Sequence, residues 1–120
     1  MMKDQILSLE KKLFQFKYMS DRKWLEEIIH DHFKECGKSG CFFDKKQTIS
    51  SLIEFTEDRR IDIYNFEYTH IDNNTYMVHY VTKDNQSLSY RTSIWYMENH
   101  LKLFFHQASC FQSDIALIKF

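Results

Sequence analysis

Residues 61–107 read IDIYNFEYTHIDNNTYMVHYVTKDNQSLSYRTSIWYMENHLKLFFHQ, and here apolar and aromatic side chains recur at every second position. Tyr64, Phe66 and Tyr68 alternate with their neighbours, as do Tyr76, Val78 and Tyr80, then Leu88, Tyr90, Thr92, Ile94 and Tyr96, then Leu101, Leu103, Phe105 and Gln107. A period of two is that of an extended strand. Asp72-Asn73-Asn74, Asp84-Asn85-Gln86 and Glu98-Asn99-His100 fall between the four runs, and residues of these types favour tight turns. A meander of four long antiparallel strands is predicted.

Upstream of this stretch the period is nearer 3.6. Ile6, Leu9, Leu13 and Phe16 predict an amphipathic helix over residues 3 to about 17. Asp21 is placed to cap a second helix, with Leu25, Ile28 and Ile29 as its stripe and an end at His32 or Phe33. Phe33 to Cys36 reads as a short strand closed by the turn Gly37-Lys38-Ser39-Gly40. Asp44 and Gln47 have the spacing of a capping box and open a third helix carrying Ile49, Leu52 and Ile53. Helices first and strands afterwards predict an α+β fold, with three N-terminal helices packed on one face of a curved, mainly antiparallel sheet.

The chain has 120 residues, the length of a single domain spanning 1–120, and a core can bury about two-thirds of the extended chain's surface. Sixteen basic residues against seventeen acidic ones leave a net charge of −1, which argues against a nucleic-acid partner. The lysines between Lys34 and Lys46 read as a solvated rim. No apolar run approaches the roughly twenty residues of a membrane span, and the charged opening does not resemble a signal peptide. No membrane partner and a cytoplasmic location are therefore expected. Cys36, Cys41 and Cys110 make an odd count, for which reduced thiols are the expectation. The alternate strand faces are not plainly polar, since Ile61, Ile63, Met77, Val81, Trp95, Met97, Phe104 and Cys110 project there. A second copy of the chain, packed through the sheet face, is the expected cover. The apolar tail Ile115 to Phe120 is expected to pack on a sheet edge or at that interface.

Two spaced motifs carry a resemblance. Phe33, Glu35, Gly37, Ser39, Gly40 and Asp44 form one, and Arg91, Ser93, Trp95, His106 and Gln107 form the other; the opening Ile6, Leu9, Glu10 and Leu13 also fits. In order of elements and in these motifs the chain resembles the nuclear transport factor 2-like superfamily, which includes the SnoaL-like and ketosteroid-isomerase-like cones. Together the motifs resemble a bacterial branch of it classed as a domain of unknown function. The resemblance covers about residues 3–110 and implies a cone with an internal pocket. Isomerases, epoxide hydrolases, polyketide cyclases and non-catalytic binders all share that shape. The sequence departs from the branch at Asn99-His100-Leu101 and at Ala108-Ser109-Cys110, so its last strand is expected to run on past Gln107.

A two-residue hairpin at Asn99-His100 would set Arg91 opposite Ala108 and Ser93 opposite His106, with Trp95 and Phe104 on the same face. Arginine, hydroxyl, indole and imidazole together suit a small anion or carbonyl, with His106 as a proton carrier. The alternative is that Arg91 pairs with Glu35 or Glu67 while Trp95 fills a dimer interface. Tyr90, Thr92 and Gln107 fall on the other face with Leu103 and Phe105. That face is the more apolar and is the expected pocket wall, with hydroxyls from Tyr64, Tyr68, Tyr76 and Tyr80 and with Trp24 at its mouth. The superfamily's isomerase chemistry implies a carboxylate base in an apolar cavity, and Glu35 is the carboxylate its motif places there. An ion pair with Arg91 or a cap on the Gly37–Gly40 turn would equally employ it. His30, His32, Cys36 and Cys41 lack metal-ligand spacing, and neither metal nor cofactor is expected. The functional expectation is a small-molecule-binding domain with a mostly apolar pocket. Its alternatives are a small cofactor-free isomerase, hydrolase or cyclase using Glu35 or His106, and a non-catalytic dimerisation module.

Overall fold

The structure, a computed structural model, describes residues 1–85 and 87–120, and the alternating runs are strands of one six-stranded sheet. The elements are α1 (Met2–Lys12), α2 (Phe16–Met19), α3 (Arg22–Ile28), β1 (Ile29–Cys36), β2 (Phe42–Asp44), α4 (Lys45–Leu52), β3 (Asp62–Asp72), β4 (Thr75–Lys83), β5 (Leu88–Met97) and β6 (Leu101–Cys110). The spatial order is β2-β1-β6-β5-β4-β3, antiparallel throughout except for the parallel pair β1–β6. Helices cover one face of the sheet. The core lies between them and includes Ile6, Leu25, Phe33, Ile49, Val78, Tyr80 and Trp95. The capping box that opens α4 is present, with Asp44 and Gln47 each accepting from the other's backbone N–H. The turn expected at Asp84-Asn85-Gln86 ends on a residue outside the described ones. Asp84 and Ser87 are hydrogen-bonded to each other across it.

Three elements differ from the reading of the sequence. The first helix stops at Lys12, because the Phe14 and Gln15 N–H groups tighten onto carbonyls three residues back and Gln15 is extended. Asp58 then caps the short α2, its carboxylate accepting from the Phe16 N–H at 2.7 Å. The second helix ends at Ile28 and the chain passes directly into an eight-residue strand. Ile29 and Phe33 are four apart, a spacing that puts both on one side of a helix and also on one side of a strand. The hairpin between β5 and β6 has three connecting residues, pairing Met97 with Leu101 and Trp95 with Leu103, and Phe104 is then bulged out. Beyond the bulge Ser93 faces His106 and Arg91 faces Ala108, the expected partners reached by a different route.

That bulge exchanges faces along β6. Leu101 and Leu103 join His106 and Ala108 on the inner side, while Phe104 turns outward. Ile63 and Trp95, expected on the outer face, are buried in the core. A second irregularity falls in β3 at Asn65, whose φ of 52° is one that asparagine tolerates. There the C-terminal tail is tied down, with Ile118 N–H donating to Asn65 Oδ1 at 2.7 Å and Phe120 N–H to the Ile63 carbonyl at 2.9 Å. The tail thus covers part of the edge of β3. No helix among the described residues is long and apolar enough to cross a membrane.

Candidate functional site

A cavity of about 260 Å³ opens between α1, α4 and the inner sheet face. Its apolar wall is made by Leu13, Phe14, Phe43, Leu52, Phe55 and Leu103, and its mouth by the Gly37-Lys38-Ser39 turn. Phe14 lies in this wall because α1 breaks just before it, and the Phe14 carbonyl accepts from the Arg59 N–H at 2.8 Å. That bond fixes the segment before β3 and brings the Arg59 side chain to the cavity. The Arg59 guanidinium lies over the rings of Phe14 (5.3 Å) and Phe55 (5.0 Å), and Arg91 approaches Phe14 from the sheet (5.5 Å). No carboxylate stands within 4.0 Å of either guanidinium among the described residues.

Arg91 is held by two contacts, donating from Nε to Thr82 Oγ1 at 2.8 Å and from its terminal nitrogen to His106 Nε2 at 3.3 Å. A guanidinium has donors only, so Nε2 of His106 is the bare nitrogen and Nδ1 carries the proton. Nδ1 then donates to Ser93 Oγ at 2.7 Å. Ser93 in turn neighbours Glu10 and Tyr80. Burial, with Arg91 and Arg59 adding repulsion, pulls the His106 pKa down to about 3. At neutral pH His106 is therefore an uncharged link with both nitrogens engaged, which counts against it as a proton carrier.

Glu10 sits beneath this chain of contacts. Its Oε1 accepts from the Tyr80 hydroxyl and its Oε2 from Trp95 Nε1 at 2.8 Å. Burial raises its pKa, opposed by the Tyr80, Ser93 and Trp95 donors and by Arg91. Burial also pushes the Tyr80 phenol well above its ordinary value, with Glu10 reinforcing it. Glu35, on β1 beside His106, is half-buried in the cavity wall, and its side chain makes no hydrogen bond among the described residues. Burial raises its pKa, while Arg91 and Arg59 act to lower it. Burial and the neighbouring Arg91 together lower that of Arg59.

Of the residues singled out in the sequence, Glu35, Tyr80, Arg91 and His106 line the cavity, and Ser93 and Trp95 lie buried behind them. The expected wall of Tyr90, Thr92 and Gln107 is corrected: these residues occupy the opposite sheet face, since the Phe104 bulge brings Leu103 inward without them. Tyr64 pairs with Val81 on that same outer face, beside Lys119 of the tail. Trp24 is outside the cavity, its ring against Tyr18. Arg91 pairs with neither Glu35 nor Glu67, and Trp95 fills the core rather than an outer face.

Glu10, Phe14 and Arg59 escaped the sequence reading as site residues. Glu10 did leave a signal, because it lies four residues after Ile6 and three before Leu13, a charge on the apolar stripe of α1. Arg59, in the charged run Glu57-Asp58-Arg59-Arg60, left none.

No protein-family model matches the chain, and no curated protein does. Solved structures do match. A nuclear transport factor 2-like protein of unknown function in nutrient uptake from Rhodospirillum rubrum is 15% identical at a TM-score of 0.69, over 92% of this chain and 97% of that one. A DUF3225-family protein of unknown function from Pectobacterium atrosepticum is 10% identical at 0.71, over 91% and 87%. A protein from Parabacteroides distasonis, provisionally called a ketosteroid isomerase, is 14% identical at 0.68, over 89% and 86%. The fold of this chain is the nuclear transport factor 2-like cone.

Proposed function

We propose that this chain binds a small molecule bearing a carboxylate in the cavity, with the carboxylate held by Arg59 and Arg91. The observation that carries this reading is the pair of guanidiniums on Phe14 with no carboxylate within 4.0 Å among the described residues, Glu35 across the cavity acting on them only from farther away. Charged groups removed from water are normally paired, and an arginine fork is matched to a carboxylate. The cavity lies just below the roughly 300–1,000 Å³ of pockets for drug-sized ligands, which favours a compact metabolite. Phe14, Phe43 and Phe55 suit an apolar or aromatic body. The protein acts as a homodimer in the cytoplasm, paired through the outer sheet face.

Arg59→Met tests this, because Met keeps the stem's packing on Phe55 and removes a guanidinium that makes no side-chain hydrogen bond or ion pair within 4.0 Å among the described residues. Benzoate titrated into the wild type and followed by NMR shifts should perturb cavity residues, and Arg59→Met should weaken binding at least about tenfold with little change in stability. Unchanged binding would overturn the reading. Glu35 supports a second one, in which the same cavity hosts a proton transfer. A carboxylate whose pKa burial raises, free of hydrogen bonds among the described residues and facing an apolar space, has properties of a general base.

A further inference from the structure

Glu35 imposes a requirement that Arg59 and Arg91 do not meet. Its carboxylate faces the cavity with no hydrogen bond and no cation within 4.0 Å among the described residues. The two guanidiniums favour its charge from a distance, but a half-buried carboxylate gains further from a donor that reaches it. The Nδ1 proton of His106 goes to Ser93 and the Tyr80 and Trp95 protons go to Glu10, while the guanidiniums of Arg59 and Arg91 act on Glu35 through space, from beyond 4.0 Å. On α4, Thr48 lines the same cavity, and its hydroxyl is the one buried side-chain polar atom without a partner among the described residues. Two polar groups on the wall thus lack hydrogen-bond partners among the described residues.

We infer that the ligand is a hydroxy carboxylate, its carboxylate on Arg59 and Arg91 and its hydroxyl donating to Glu35. This rests on the binding function proposed above and names its ligand class. An ammonium group would also donate to Glu35, but it would enter beside two guanidiniums, with Lys38 at the mouth, and be repelled by all three. A hydroxyl carries no such charge. It also keeps lone pairs that can accept from a hydroxyl such as that of Thr48, whereas an ammonium has no acceptor.

Titrations of the full chain with benzoate, the three hydroxybenzoate isomers and phenol separate this inference from the one beneath it. At least one hydroxybenzoate should bind about tenfold tighter than benzoate, the effect of one hydrogen bond to a charged acceptor. Glu35→Met should erase that gain and leave benzoate binding at or above the wild-type level, since it removes a like charge. If no isomer exceeds benzoate, or the gain survives in Glu35→Met, the hydroxyl assignment is overturned while the carboxylate site stands. If no acid binds, or Arg59→Met leaves the acids' affinity unchanged, both are overturned. Phenol binding as tightly as the acids would also remove the carboxylate site.

Discussion

His106 is neutral in the folded chain at a pH where a free imidazole begins to charge, and Arg91 is one reason. The folded pKa near 3 lies below the unfolded value of 6.5, so between these values the unfolded chain binds the extra proton. The stabilisation is therefore full above about pH 7 and is lost as pH falls toward 3. From pH 7.5 to pH 5 the loss from this residue alone is about 2 kcal/mol. Glu10 and Glu35 act with the opposite sign: their raised values favour folding at low pH, and that contribution is lost as pH rises through them. His106→Gln isolates the histidine, because its amide can accept from Arg91 without titrating. Urea unfolding of both proteins at pH 7.5 and pH 5 should show a variant less stable at pH 7.5, with the gap closing by about 2 kcal/mol at pH 5. Parallel pH dependence in the two proteins would mean that His106 already charges in the fold. The sequence placed Ser93 opposite His106 but could not give its protonation state, which depends on burial and on where one guanidinium points.

At the scale of elements, the meander was legible because each of its strands alternates over many residues and polar turns separate them. The cavity was less so. It depends on the break after Lys12, and the cap that stabilises α2 comes from Asp58, 42 residues beyond Phe16. On β5 and β6 the face assignment failed at a single bulged residue, Phe104, since one added residue reverses every later position of a period-two pattern. Asn65 offers a direct test of such irregularities. It combines a left-handed backbone with two side-chain bonds to the tail, accepting from Ile118 and donating to the Ala116 carbonyl. Asn65→Val imposes a strained β-branched residue and removes both bonds, so urea unfolding should show a loss of about 2–3 kcal/mol. Asn65→Gly keeps the backbone conformation and should lose less. Equal losses would assign the whole effect to the tail contacts.

The whole molecule has a covered sheet face and an open one, and the open one is unusually aromatic. His30, Tyr96 and Phe104 form one cluster of rings there, and His79, Tyr90 and Phe111 stack in another. Half-buried Ile94 lies between Met77 of β4 and Phe105 of β6. An apolar patch of this extent on a chain of near-zero net charge favours self-association, and the twofold arrangement in which the patch meets itself needs no other partner. Light scattering should give about 29 kDa, twice the 14.7 kDa chain mass. Ile94→Lys places a charge at the centre of the patch and should return the mass to that of one chain. The same variant distinguishes pairing from ligand binding. Tyr90, Ile94 and Phe104 all point away from the cavity, so a monomeric Ile94→Lys protein should bind benzoate within about twofold of the wild type. A wild-type mass of one chain at high concentration would remove the dimer. A monomeric variant that also loses benzoate would show instead that pairing holds the cavity in shape, with the cone completed only when two sheets meet.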